Sequence, residues 1–177
     1  MHRTAFLPIL LLAAGMLPAA GGAQASEDAV KAAFLPRFAR YVTWPAGVVG
    51  TASAIQLCVI GVDPFGRSLD EAAAGQTVDG KPIRVRRLPT PDGAQGCHLA
   101  FVHGRGATTG RMIAALRQWP VLTITDAKGG PQRGIIHFVL AGGRVRFFID
   151  EAEASTRGLG VNARLLALAL AVRQSGS

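Results

Sequence analysis

The chain has 177 residues, 49% of them hydrophobic, and carries 19 Lys and Arg against 11 Asp and Glu, a formal charge of +8 at pH 7. That length is one ordinary domain with enough apolar residues for a core. Sixteen of the nineteen basic residues are arginine, yet no basic run is longer than Arg86-Arg87; such a charge could suit nucleic acid, anionic lipid or an acidic protein partner, and solubility alone is the favoured reading.

Met1-His2-Arg3 is a short positive start, Ala5 to Leu17 is uncharged and apolar, and Ala23-Gln24-Ala25 is an A-x-A exit. Together these read as a secretory signal peptide. The apolar run is shorter than the roughly 20 residues a membrane span needs. No cysteine follows it to carry a lipid. Residues 1–25 are therefore expected to be removed, leaving residues 26–177 with a charge of +7 once Arg3 is gone. A protein exported in this way works without an ATP or NAD pool, which sets aside cytoplasmic enzymes and a nucleic-acid partner.

The compartment also changes the meaning of the two cysteines. In the cytosol Cys58 and Cys97 would read as buried thiols; in an oxidising compartment an even count suggests a disulfide. Such a bond would close a loop of about 39 residues, worth at most roughly 4 kcal/mol by chain entropy.

In chain order, residues 27–43 read as an amphipathic helix after a Ser26 cap, with Val30, Phe34, Phe38 and Tyr41 as its stripe. Pro36 should kink or interrupt it, and Trp44-Pro45 ends it. Residues 55–60 are a buried strand, 65–74 a short helix ending at Gly75, and 81–88 an alternating strand with Ile83 and Val85 on its apolar side. Residues 98–103 form a strand, 109–119 a helix and 121–125 another strand. Residues 135–140 and 145–149 flank Ala141-Gly142-Gly143-Arg144 as a hairpin. Asp150 caps a final helical region that Gly158 and Gly160 divide, with residues 161–173 as the closing helix. Strands alternating with helices, plus one antiparallel hairpin, predict a single α/β domain with a mixed sheet of about six strands flanked by helices.

Motifs for chemistry are sparse. The loop from Gly104 to Gly110 sits between a strand and a helix, where Arg105 and Arg111 could grip an anion. It lacks the third glycine of a dinucleotide loop and the lysine of a P-loop. Cys58, Cys97, His98 and His103 match no zinc spacing, so neither metal nor cofactor is expected, and His98, His103 and His137 read as isolated structural histidines. There is no G-x-S-x-G elbow. Asp150, Glu151 and Glu153 are the acids expected at a helix N-terminus. The chain reads as a non-enzyme.

The ordered segments Val30 to Leu35, Phe38 to Val42, Trp44-Pro45, Leu57 to Gly61 with Asp63 to Gly66, Cys97 to Val102, Val121 to Ile124, Ile135 to Phe138, Val145 to Ile149, Leu159 to Val161 and Leu165 to Ala169 resemble the YfiR-like family of periplasmic domains across nearly all of residues 27–173. The resemblance implies a dimeric periplasmic regulator without catalytic residues. It would inhibit a membrane-bound diguanylate cyclase by binding its periplasmic sensor domain, and so hold down cyclic-di-GMP, adhesion and biofilm formation. It also implies that Cys58 and Cys97 are the family cysteines linked to redox control. The second pair that some relatives carry in the hairpin is missing; Pro36, and Asp150 where relatives often have asparagine, are further departures. Two other functions compete with this one. One is a small-molecule or anion sensor at Arg105 and Arg111 feeding another membrane signalling protein; the other is a periplasmic hydrolase, for which no nucleophile–base pair is visible. Tyr41 and Trp44, at the end of the first helix, are the candidate dimer or partner surface.

Overall fold

Ser26 accepts a hydrogen bond from Ala29 N at 3.2 Å and so caps α1 (Glu27–Phe38). The computed structural model describes residues 26–174, and the expected signal peptide lies outside the described residues. Pro36 is buried inside α1. It gives the Ala32 carbonyl no donor, and the helix outlasts it by only two residues. A 3-10 turn, Ala39–Tyr41, and β1 (Val42–Thr43) follow, so the single helix expected over 27–43 is divided. Its buried side is Lys31, Ala32, Leu35, Pro36 and Phe38, while Phe34 and Tyr41 are half-buried; the true stripe is displaced from the expected one.

The chain continues through β2 (Ile55–Gly61), α2 (Arg67–Ala73), β3 (Thr77–Val78), β4 (Lys81–Leu88), β5 (Leu99–His103), α3 (Ala107–Leu116), β6 (Leu122–Asp126), β7 (Ile136–Ala141), β8 (Arg144–Asp150), α4 (Glu151–Thr156), β9 (Gly160–Val161), α5 (Ala163–Leu166) and β10 (Ala171–Arg173). Eight strands form one mixed sheet in the order β10-β8-β7-β6-β5-β2-β4-β3, and β1 pairs with β9. The six expected strands are its centre, with β3 and β10 added at the edges. β2 is parallel to β4 on one side and to β5 on the other. The β7–β8 hairpin turns through Gly142 and Gly143 at φ 57° and 71°, the paired positive φ that a tight two-residue turn requires.

The closing helix expected over residues 161–173 is not there. α5 is a single turn, and Ala171–Arg173 is instead an edge strand pairing in parallel with Phe148–Asp150. Leu166 to Ala171 alternates two good helix formers. Such a segment suits either state, and the open edge of β8 decides it. Asp150 does cap α4, accepting from Glu153 N at 2.9 Å.

Two cores result. Leu35, Phe38, Leu57, Phe101, Phe138 and Phe147 belong to the larger one, beneath α1 and α2. Ile60, Val102, Met112 and Leu116 belong to the smaller, beneath α3 on the opposite face.

Candidate functional site

The cysteines lie in the smaller core. Cys58 is central in β2 and Cys97 precedes β5, its parallel neighbour, which brings their Cα atoms to 5.9 Å and joins them in a disulfide. That spacing suits the bond. Both residues are buried, at 0% and 4% exposure, so a reductant reaches the sulfurs only when this part of the fold opens. His98 locks the same place. Its Nδ1 accepts from Gln56 N at 3.0 Å, its N–H donates to Gln56 O at 2.9 Å, and its carbonyl accepts from Trp44 Nε1 at 3.3 Å. Burial holds the ring's pKa below the ordinary histidine value. Its Nε2 is buried and, among the described residues, meets no partner in hydrogen-bond geometry, although the Val48 carbonyl favours the protonated ring.

Trp44 is 8% exposed and its ring meets that of His98 edge-on at 5.9 Å. The indole is therefore part of the monomer's core, and of the expected surface pair only Tyr41, half-buried, reaches solvent. Arg105 and Arg111 are both exposed. α3 begins after Gly106, at φ 53°, with no side-chain cap. Arg111 donates to Thr108 Oγ1 at 3.1 Å and lines a groove of about 410 Å³ with Arg117 and Arg133, and Arg105 is not in its lining.

A buried ionic group escaped the sequence reading. Lys31 Nζ lies 2.6 Å from Asp126 Oδ2 and 2.6 Å from Glu27 Oε1. Asp126 Oδ1 also accepts from Gly129 N at 3.0 Å and meets His103 Nδ1 at 3.2 Å. Burial by itself would raise the Asp126 pKa, but the hydrogen bond and charge of Lys31 hold it below the usual carboxylate range. His103 is thus no isolated histidine. Glu27, Asp28 and Asp126 bring oxygens within 4.8 Å of one another, as metal ligands do, but the Lys31 ammonium fills the position a cation would take. The available signal was Lys31 itself, four and seven residues before Leu35 and Phe38 on the buried side.

In open α/β sheets, ligands commonly enter where the strand order reverses, here at the ends of β2 and β5. That crevice is drawn shut. Val62 N donates to His103 O at 2.9 Å, and a Cβ on Gly61 would stand 2.2 Å from the same oxygen. The disulfide that ties β2 to the segment entering β5 holds the same two strands together.

A family model described as YfiR/HmsC-like matches residues 28–170. The chain belongs to the YfiR/HmsC-like family. No curated protein matches it significantly. The family is one of periplasmic, regulatory, non-catalytic proteins of cyclic-di-GMP signalling. Among the described residues no helix is long and apolar enough to cross a membrane.

Proposed function

We propose that the protein is exported to the periplasm, is processed after Ala25, and there, as a dimer, inhibits a membrane-bound diguanylate cyclase by contacting its periplasmic sensor domain. Family membership across residues 28–170 carries this reading. The Cys58–Cys97 disulfide supports redox control, since it clamps β2 to the segment entering β5. Loss of the bond loosens the second face of the sheet and releases the cyclase.

The test is cyclic-di-GMP measured in host cells lacking the gene, then complemented with wild type or with Cys58→Ser plus Cys97→Ser. Deletion raises the nucleotide, wild type lowers it and the double variant does so poorly. Levels indifferent to deletion and complementation overturn the reading. Mass spectrometry of the periplasmic fraction checks the cleavage. One observation favours a second reading, an anion sensor feeding another membrane protein: Arg111, Arg117 and Arg133 line one groove. A small anion that raises the melting temperature, and fails to do so after Arg111→Ala, supports it.

A further inference from the structure

Among the described residues, half of one sheet face has no helix over it. α3 covers β5 and β2 on this side. Beyond β6 the cover among the described residues is the strap between β6 and β7, where Gly134 N donates to Thr125 Oγ1 at 2.9 Å and Ile135 N to Thr123 Oγ1 at 3.2 Å. A Cβ on Gly134 would stand 2.7 Å from Thr123 O, so the strap lies flat on the strand. Past the strap, Phe148 and Val139 are half-buried, Ala171 is exposed, and none of them joins either core. A cavity of about 530 Å³ opens there, floored by Phe148, His137, Ile149 and Ala171.

Its rim is cationic. The Arg133 guanidinium lies 4.9 Å from the Phe148 ring centroid. Arg173 lines the cavity, and exposed Arg146 shares the Phe148 side of β8 by strand alternation. Asp150, the one carboxylate among the described lining residues, pairs with Arg173 and cancels its charge, so the net positive charge of the rim comes from Arg133 and Arg146. Arg133 also lines the groove beside α3, which holds Arg111 and Arg117 as well; Arg117 there faces Glu153 at 3.4 Å. Among the described residues, no carboxylate lies within 4 Å of the guanidinium of Arg111, Arg133 or Arg146.

An occupant must bring apolar surface for Phe148 and carboxylates for Arg133 and Arg146 beside it and for Arg111 in the neighbouring groove. One small carboxylate cannot span that series. A second copy of this chain is a poor match, because the mature chain carries +7 and seven of its eleven acids, at positions 27, 28, 63, 70, 126, 150 and 153, already face lysines or arginines. We propose that this face is a docking groove for an extended acidic segment of a partner protein, which seats an aliphatic or aromatic side chain on Phe148. In resting on the function proposed above, it places that segment in the cyclase's sensor domain. Charge complementarity of this kind sets encounter rate and register, and the apolar anchor sets the lifetime.

The test uses the mature chain and a fluorescein-labelled octapeptide, Glu-Asp-Glu-Phe-Glu-Asp-Leu-Glu, read by fluorescence anisotropy at two salt concentrations. Arg133→Glu with Arg146→Glu should weaken binding by about tenfold or more, and Phe148→Ala by about fivefold or more. Arg37→Glu with Arg84→Glu, on α1 and at the far edge of the sheet, should change it by less than about twofold. Unchanged melting temperatures show that the surface variants fold. Equal loss in both charge-reversed pairs, or no binding by the wild type, overturns the proposal. A cyclase assay separates the two claims. If wild type inhibits and Arg133→Glu with Arg146→Glu inhibits equally, the groove falls and the function stands. If wild type inhibits no cyclase, the function falls and the peptide result alone decides the groove.

Discussion

Lys31 Nζ and Asp126 Oδ2 meet at 2.6 Å with their side chains 1% and 0% exposed, tying α1 to the end of β6. Removing Lys31 leaves the Asp126 charge buried without its cation, and removing Asp126 leaves Lys31 with Glu27, which is partly exposed. Lys31→Met or Asp126→Asn alone should cost about 3–5 kcal/mol. The double variant should cost less than the sum by about 1 kcal/mol or more. Urea unfolding of all four proteins checks this, and additive costs would show that the two groups do not act as a pair. Because the folded Asp126 pKa is depressed, its contribution is present above the unfolded value near 3.9 and is lost as pH falls through the folded one.

His137 gives a pH dependence in a higher window. Burial first, then the charge of Arg133, pushes its pKa from 6.5 down to about 4. Thr125 Oγ1 lies 2.9 Å from its Nδ1. The unfolded chain takes the proton first, so stability is full above pH 6.5 and declines as pH falls towards 4. The loss across that window should be on the order of 3 kcal/mol. Urea midpoints from pH 7.5 to 4.5 measure it, and His137→Gln should flatten the profile. A variant as pH-sensitive as wild type would assign the effect to another group.

Trp44 and Tyr41 should separate in behaviour. Trp44, at 8% exposure and bonded to the His98 carbonyl, should cost about 3–5 kcal/mol when changed to alanine. Tyr41→Ala should cost about 1–2 kcal/mol, as a half-buried side chain does, and should weaken dimerisation measured by light scattering. Unchanged dimerisation removes Tyr41 from the interface.

Gly61→Ala should be far more damaging than Gly47→Ala. Both glycines have positive φ, 90° and 86°, but only at Gly61 would a Cβ meet a backbone oxygen, 2.2 Å away; nothing lies within 4 Å at Gly47. The Gly47 variant carries conformational strain alone, about 1 kcal/mol. The Gly61 variant must part β2 from β5 and should lose about 2–4 kcal/mol. Thermal melts of the two proteins distinguish these costs, and similar values would mean that the close approach relaxes freely.

Local pattern was enough wherever one segment carried its own signal. Residues 81–88 alternate and are β4; two glycines between apolar runs are the turn of the β7–β8 hairpin; Ser26 and Asp150 cap the helices they precede. The cysteine pair was legible from number and compartment. Tertiary structure alone decided what depends on a neighbour distant in sequence. Residues 161–173 read as one helix until the edge of β8 offers hydrogen bonds, and Ala171–Arg173 becomes β10. Lys31 looks like a surface residue until Asp126, 95 positions later, arrives beside it. Trp44 looks like a free aromatic until His98, 54 positions away, supplies the carbonyl that holds its N–H inside. Periodicity and capping are properties of adjacent residues, whereas burial of a charge or an indole depends on which distant group satisfies it.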